Sequence, residues 1–169
     1  MKINIRTITY GGILSALILL ATSVFKVIIP SGYGYINLGD GAIFAAAAIL
    51  GPFAAVCAAL GSGLADLIAG APQYILATVL IKGFMGLLSG FAINRWQKLT
   101  WYKLAALFLV CEIIMIGGYF VAELIIYSDR GIAIGNLLFN AIQGLAGIAM
   151  GMAIVPLARK IKTWQPWLS

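Results

Sequence analysis

Histidine is absent from this 169-residue chain, and charged residues make up only 9% of it. The first absence excludes histidine-dependent acid–base chemistry and the HExxH zinc signature. Neither a GxSxG nucleophile elbow nor a GxxxxGKS/T phosphate loop occurs, so hydrolase chemistry of the first kind and ATP hydrolysis of the second are not expected of this chain. No metal site and no cofactor are expected either. Cysteine is nearly missing: Cys57 and Cys111 both lie inside apolar runs, where a free thiol acts as a small buried hydrophobe.

Apolar residues fill the space that charge leaves. They form 63% of the chain, too many for a water-soluble domain of this length, and the sequence reads as an all-α integral membrane protein. No polar block is large enough to fold separately, so residues 1–169 are expected to be one membrane domain. The formal net charge of +6 does not point to nucleic acid, because the basic residues sit at segment ends instead of sharing one face. Lys2 and Arg6 before an apolar run resemble the start of a secretory signal, but the run is long and no small-residue cleavage site follows.

Six helices are expected. The first covers residues 7–29, at 1.5 Å per residue roughly 35 Å and enough to span, with Pro30 as its stop. Within it, Gly11 with Ser15 and Gly12 with Ala16 are small-xxx-small pairs that admit another helix, either from this protein or from a partner. Lys26 is placed to snorkel to the interface. Residues 31–38, SGYGYINL, form an outer loop read either as part of an interfacial tyrosine belt or as a lid.

Residues 39–50 and 53–69 are short helices that turn at Gly51-Pro52, and one long broken helix is the alternative. Helices over 74–94, 104–127 and 132–157 follow. The segment WQKLTWYK is an inner loop and SDRG an outer turn. In this arrangement Lys2, Arg6, Arg95, Lys98, Lys103, Arg159, Lys160 and Lys162 share one side, which places both termini in the cytoplasm.

Ionisable groups inside a membrane are costly and need a reason. Asp40, Asp66, Lys82, Tyr119 and Glu123 fall in the outer half of their helices, counted at 1.5 Å per residue. Asn136, Asn140 and Gln143 follow i, i+4, i+7 spacing and share a face, which Gly144, Gly147 and Gly151 continue inward. This convergence suggests a bowl that binds a solute, closed below by small residues. The plainer alternative is that Lys82 pairs with Asp66 or a glutamate while the amides bridge helices. Glu112 fits that structural role better. The amides suit a heteroaromatic ring with mixed polar edges, on which Tyr35 or Tyr119 would stack. Three carboxylates against one lysine favour neutral or weakly cationic solutes over phosphates.

The stretches GYINLGDGAIFAAAAILGPFAAVCAALGSGLADLIAG, TVLIKGFMGLLSG and GNLLFNAIQGLAGIAMG resemble the substrate-binding (S) components of energy-coupling factor (ECF) vitamin transporters, in the riboflavin-type branch that includes hydroxymethylpyrimidine-type members. The resemblance covers nearly all of the chain. It implies a six-helix bundle in a prokaryotic cell membrane that binds a vitamin or precursor from outside, hydroxymethylpyrimidine or pyridoxine before riboflavin, with the first loop as lid. Site residues would come from that loop and the later helices, including Tyr35, Asn37 and the polar layer. It also implies docking on a transmembrane coupling protein that carries two ATPase subunits, through small residues of the first helix. The family's AxxxA pattern there is represented by Gly12 and Ala16, with Ser15 beside them. A self-sufficient carrier or channel and a membrane scaffold protein are the competing functions.

Overall fold

Glycine and proline punctuate long apolar runs, and the runs become helices. A computed structural model describes residues 5–29 and 33–164, the side chains as far as Lys160. Its helices are α1 (Ile5–Val24), α2 (Gly39–Leu50), α3 (Ala54–Ile68), α4 (Ile75–Arg95), α5 (Trp101–Tyr127) and α6 (Arg130–Trp164). Single 3-10 turns precede α3 at Gly51–Phe53 and α4 at Pro72–Tyr74. Among the described residues, five stretches are long and apolar enough to cross a membrane, with α2, its turn and α3 forming one of them over Gly39–Ile68.

Helix packing follows the small residues. α3 lies along α4, α5 along α6, α1 against α3, and α2 is enclosed by α1, α4 and α6. Nearly every side chain of α2 is buried, which explains why this helix is built largely of alanine. Gly51 (φ +60°) lets the chain reverse after α2, a conformation that favours glycine. Asp40 at the start of α2 meets Lys82, and Gly51 at its end adjoins Asn94. Along α3 the order inverts: Ala54 adjoins Gly86, and Gly63 adjoins Val79. α2 and α3 therefore run past α4 in opposite directions.

A methyl on Gly86 would lie 2.7 Å from the Ala54 carbonyl oxygen, and one on Gly90 would collide with the Gly51 carbonyl, so these glycines set how closely α4 approaches the turn. Phe44 and Phe108 stack at 4.1 Å between ring centroids, beside Gly151, and close the core on the α5 and α6 side.

The first apolar run differs from its expected form. The helix ends at Val24, not at residue 29, because Val27–Ile28 pair antiparallel with Tyr35–Ile36, with Val27 opposite Ile36 and Ile28 opposite Tyr35. Ile29 N–H adds a bond to the Gly34 carbonyl at 3.2 Å. The pairing satisfies backbone groups that a continued helix would otherwise have to satisfy internally. Helix α5 begins three residues before its expected start, taking in part of the presumed inner loop. α6 runs from Arg130 to Trp164 instead of over 132–157, carrying Pro156 inside it at the cost of one backbone hydrogen bond. Pro30, Lys2 and Trp167, and the side chains of Lys162 and Trp164, lie outside what is described.

Candidate functional site

At the end of the bundle where the hairpin meets α3, α4, α5 and α6, apolar helices turn polar side chains toward one another. Asp40, Asp66, Lys82, Glu123, Asn136, Asn140 and Gln143 are all buried. Lys82 Nζ donates to Asp40 Oδ1 at 2.5 Å, and Gln143 Nε2 donates to Asp40 Oδ2 at 2.8 Å, so both oxygens of Asp40 are engaged. With side-chain exposures of 3% and 0%, this ion pair is shielded from water. Such burial makes the pair interdependent, since either charge alone would be stranded in a low dielectric. Lys82 pairs with Asp40, whereas the sequence had left Asp66 and the glutamates as its expected partners.

The hairpin is fastened over this layer from several sides. Tyr35 O–H donates to Asp66 Oδ1 at 2.6 Å, and the Asn37 N–H donates to Gln143 Oε1 at 2.9 Å. Asn136 Nδ2 donates to the Tyr33 carbonyl at 2.7 Å and to Glu123 Oε1 at 2.9 Å. Gln143 thus links the two: its carbonyl accepts from the hairpin while its amide donates to Asp40. Burial, and then the charge of Asp66, push the Tyr35 phenol well above its ordinary pKa. Tyr35 therefore remains a donor at neutral pH.

Beneath the hairpin is a cavity whose free space is about 450 Å³ counted to the surrounding atoms, including its open mouth. Tyr35, Asn37, Asp66, Lys82, Tyr119, Glu123, Asn140 and Gln143 line it. Asp40 and Asn136 stand behind that lining and act on it through Lys82, Gln143 and Glu123. Tyr119 O–H and Thr78 Oγ1 are 3.0 Å apart, and the Lys82 ammonium lies 5.5 Å from the Tyr119 ring centroid. Polar edges and aromatic faces together suit a flat heterocycle better than a bare ion.

Sequence reasoning overlooked Thr22, Ser62, Tyr74 and Thr78, which also line the cavity. The signal was present for three of them. Ser62 precedes Asp66 by one turn, and Tyr74, Thr78 and Lys82 follow i, i+4, i+8 spacing on one face. Thr22, beside Ser23 in an otherwise apolar stretch of α1, offers no such pattern.

Glu112 stands apart from the cavity. It is 1% exposed, packs against Gly144 and Gly147, and its two oxygens have no hydrogen-bond partner among the described residues. Those glycines seat a carboxylate, where the sequence suggested only a tight floor of small residues.

The two small-residue pairs of α1 part company. Gly11 is covered by the Phe53 ring, and Ser15 is half-buried with its carbonyl against Gly61. Gly12 and Ala16 are exposed, and nothing lies within 4 Å of a methyl placed on Gly12.

Known proteins resemble this chain over most of its length. A family profile described as ECF-type riboflavin transporter, S component, matches residues 2–162. The chain is 30% identical over 159 residues to the thiamine precursor transporter HmpT of Lactococcus lactis subsp. cremoris (strain MG1363), covering 93% of this chain and 90% of that one. It is also 30% identical over 131 residues to an uncharacterized protein of Pyrococcus woesei encoded in a gap 3' region, covering 77% of this chain and 86% of that one.

Proposed function

The chain belongs to the family of ECF-type riboflavin transporter S components, and on that premise we propose that its polar cavity binds a vitamin precursor, hydroxymethylpyrimidine before pyridoxine or riboflavin. As a family member it is a multi-pass protein of the plasma membrane that serves uptake by binding substrate. The preference for hydroxymethylpyrimidine rests on its similarity to the thiamine precursor transporter over nearly the whole length of both chains. The observation that carries the binding role is the cavity itself: an apolar bundle has gathered charges and amides around a space beneath a fastened hairpin.

In this reading the hairpin is the lid. Tyr35, Asn37, Asp66, Lys82, Tyr119, Glu123, Asn140 and Gln143 face the solute, while Asp40 and Asn136 orient Lys82, Gln143 and Glu123. The fold-back of α2 on α3 supports counting them as two short crossings. On that count there are six crossings and both termini share one side, which the basic residues at the segment ends mark as cytoplasmic. Transport energy is supplied by the ECF module, in which two ATPase subunits act through a transmembrane coupling protein that docks on Gly12, Ser15 and Ala16 of α1.

Native mass spectrometry of the gently purified protein, followed by uptake assays in proteoliposomes, tests this reading. The expected result is a co-purified pyrimidine, with uptake that requires ATP and the ECF module. Uptake by the chain alone, driven by a proton or sodium gradient, would instead identify a self-sufficient carrier.

A further inference from the structure

Four buried side-chain oxygens of the cavity residues have no hydrogen-bond partner among the described residues: Thr22 Oγ1, Ser62 Oγ, Asp66 Oδ2 and Glu123 Oε2. Each belongs to a residue exposed by no more than 4%. The two hydroxyls can serve as donor or acceptor. The carboxylates are more selective, because their neighbours have fixed their polarity. Asp66 Oδ1 accepts from Tyr35, and Glu123 Oε1 accepts from Asn136 and from Tyr74 at 3.5 Å. Both groups are surrounded by donors, and each offers its second oxygen as a further acceptor, one from the α3 wall and one from the α5 wall.

The rest of the lining has the opposite polarity. Lys82 uses one donor on Asp40 and has further N–H groups, and the Asn140 side chain also lines the space. Tyr74 and Tyr119 meet with centroids 6.3 Å apart and planes at 61°, forming an aromatic wall. We propose that Asp66 and Glu123 determine specificity by each accepting a hydrogen bond from the solute, which is an unphosphorylated heteroaromatic ring with donor groups on two separate substituents. A 4-aminopyrimidine with a hydroxymethyl arm meets this requirement, with ring nitrogens left as acceptors for Lys82 or Asn140. A phosphate ester fails it by placing anionic acceptors against carboxylate acceptors. The inference rests on the solute-binding role proposed above and deepens it.

The test is calorimetric titration of the full-length protein in detergent with 4-amino-5-hydroxymethyl-2-methylpyrimidine, its 4-oxo analogue and its phosphate ester. The parent is expected to bind the amino compound about tenfold to hundredfold more tightly than either of the others, the range for a lost hydrogen bond to a charged group. Asp66→Asn and Glu123→Gln, which put an amide donor where an acceptor stood, should each weaken the amino compound comparably. One of them should narrow or reverse the preference over the 4-oxo analogue. The comparison on the parent needs no variant, so a misfolded variant does not remove the test. Equal binding of amino and oxo compounds, or amide variants that bind like the parent, overturns the inference and leaves the function in place. So does a parent that binds the phosphate ester as tightly as the amino compound, with pyridoxine and riboflavin titrated alongside. A parent that binds none of these compounds overturns both.

Discussion

The hydroxyl of Tyr35 reaches Asp66 Oδ1 at 2.6 Å, joining the outer hairpin to the end of α3 across 31 residues of sequence. Asn37 and the Tyr33 carbonyl are bound to α6, so the Tyr35 contact is the hairpin's fastening on the opposite wall. Tyr35→Phe removes it without changing ring size. The expected outcome is a faster solute dissociation rate, by about tenfold for a bond to a charged acceptor, with a smaller change in association. Stopped-flow release of a bound ligand measures this.

The same phenol sets a pH boundary. Its folded pKa is raised, so the folded state keeps a proton that the unfolded chain loses above about pH 10, the ordinary tyrosine value. The stability contributed by the protonated Tyr35 is complete below that pH and falls as pH rises beyond it. Between pH 6 and 9, parent and Tyr35→Phe are expected to differ by a constant amount in thermal unfolding, a slope in that window being the contrary result.

Lys82 and Asp40 invite a different experiment. Lys82→Met leaves the Asp40 carboxylate buried beside Gln143 with no cation, and such a broken pair costs about 3–5 kcal/mol. Adding Asp40→Leu to it removes both charges and should recover most of that loss, because a buried pair is often no more stabilising than apolar residues of similar volume. Unfolding in mixed micelles reads stability. Solute titration of the double variant then separates roles: restored folding with absent binding means that the solute site needs Lys82 or the Gln143 amide that Asp40 orients, whereas restored binding makes the pair structural.

Much of this arrangement could be read from the sequence, and the reasons are particular. Gly51-Pro52 marked the reversal between α2 and α3 because glycine and proline break helices by local geometry. Asn136, Asn140 and Gln143 could be placed on one face because spacing along a single helix is enough. The partner of Lys82 could not be found this way. Asp40 and Asp66 both lie in the outer layer, and the choice between them depends on α2 lying alongside α4 with Asp40 at the level of Lys82. The hairpin was hidden for another reason. Two-residue strands are too short to show alternation, and Val27 and Ile28 read equally well as the end of a helix. Ser62 and Thr78 were passed over because small hydroxyl residues in apolar helices look like packing residues until a charged neighbour one turn away is considered.

The final prediction concerns the outward face of α1, where the proposed docking on the coupling protein has a steric control within the same helix. Gly11 and Gly12 are adjacent, yet a methyl on Gly11 would fall 2.7 Å from the Phe53 ring while one on Gly12 meets nothing within 4 Å. Gly11→Leu should therefore destabilise the bundle by about 1–3 kcal/mol through overpacking, with solute binding and assembly falling together. Gly12→Leu should leave unfolding and solute affinity unchanged, because its side chain points away from α3 and the cavity. If Gly12 and Ala16 are where the coupling protein packs, a leucine there holds the two helices apart and abolishes close small-residue contact. Co-purification with the tagged ECF module would then fall sharply for Gly12→Leu and remain near the parent level for Gly12→Ala. Undiminished recovery of the module with Gly12→Leu would move the docking surface to another face of the bundle and leave the solute site as described.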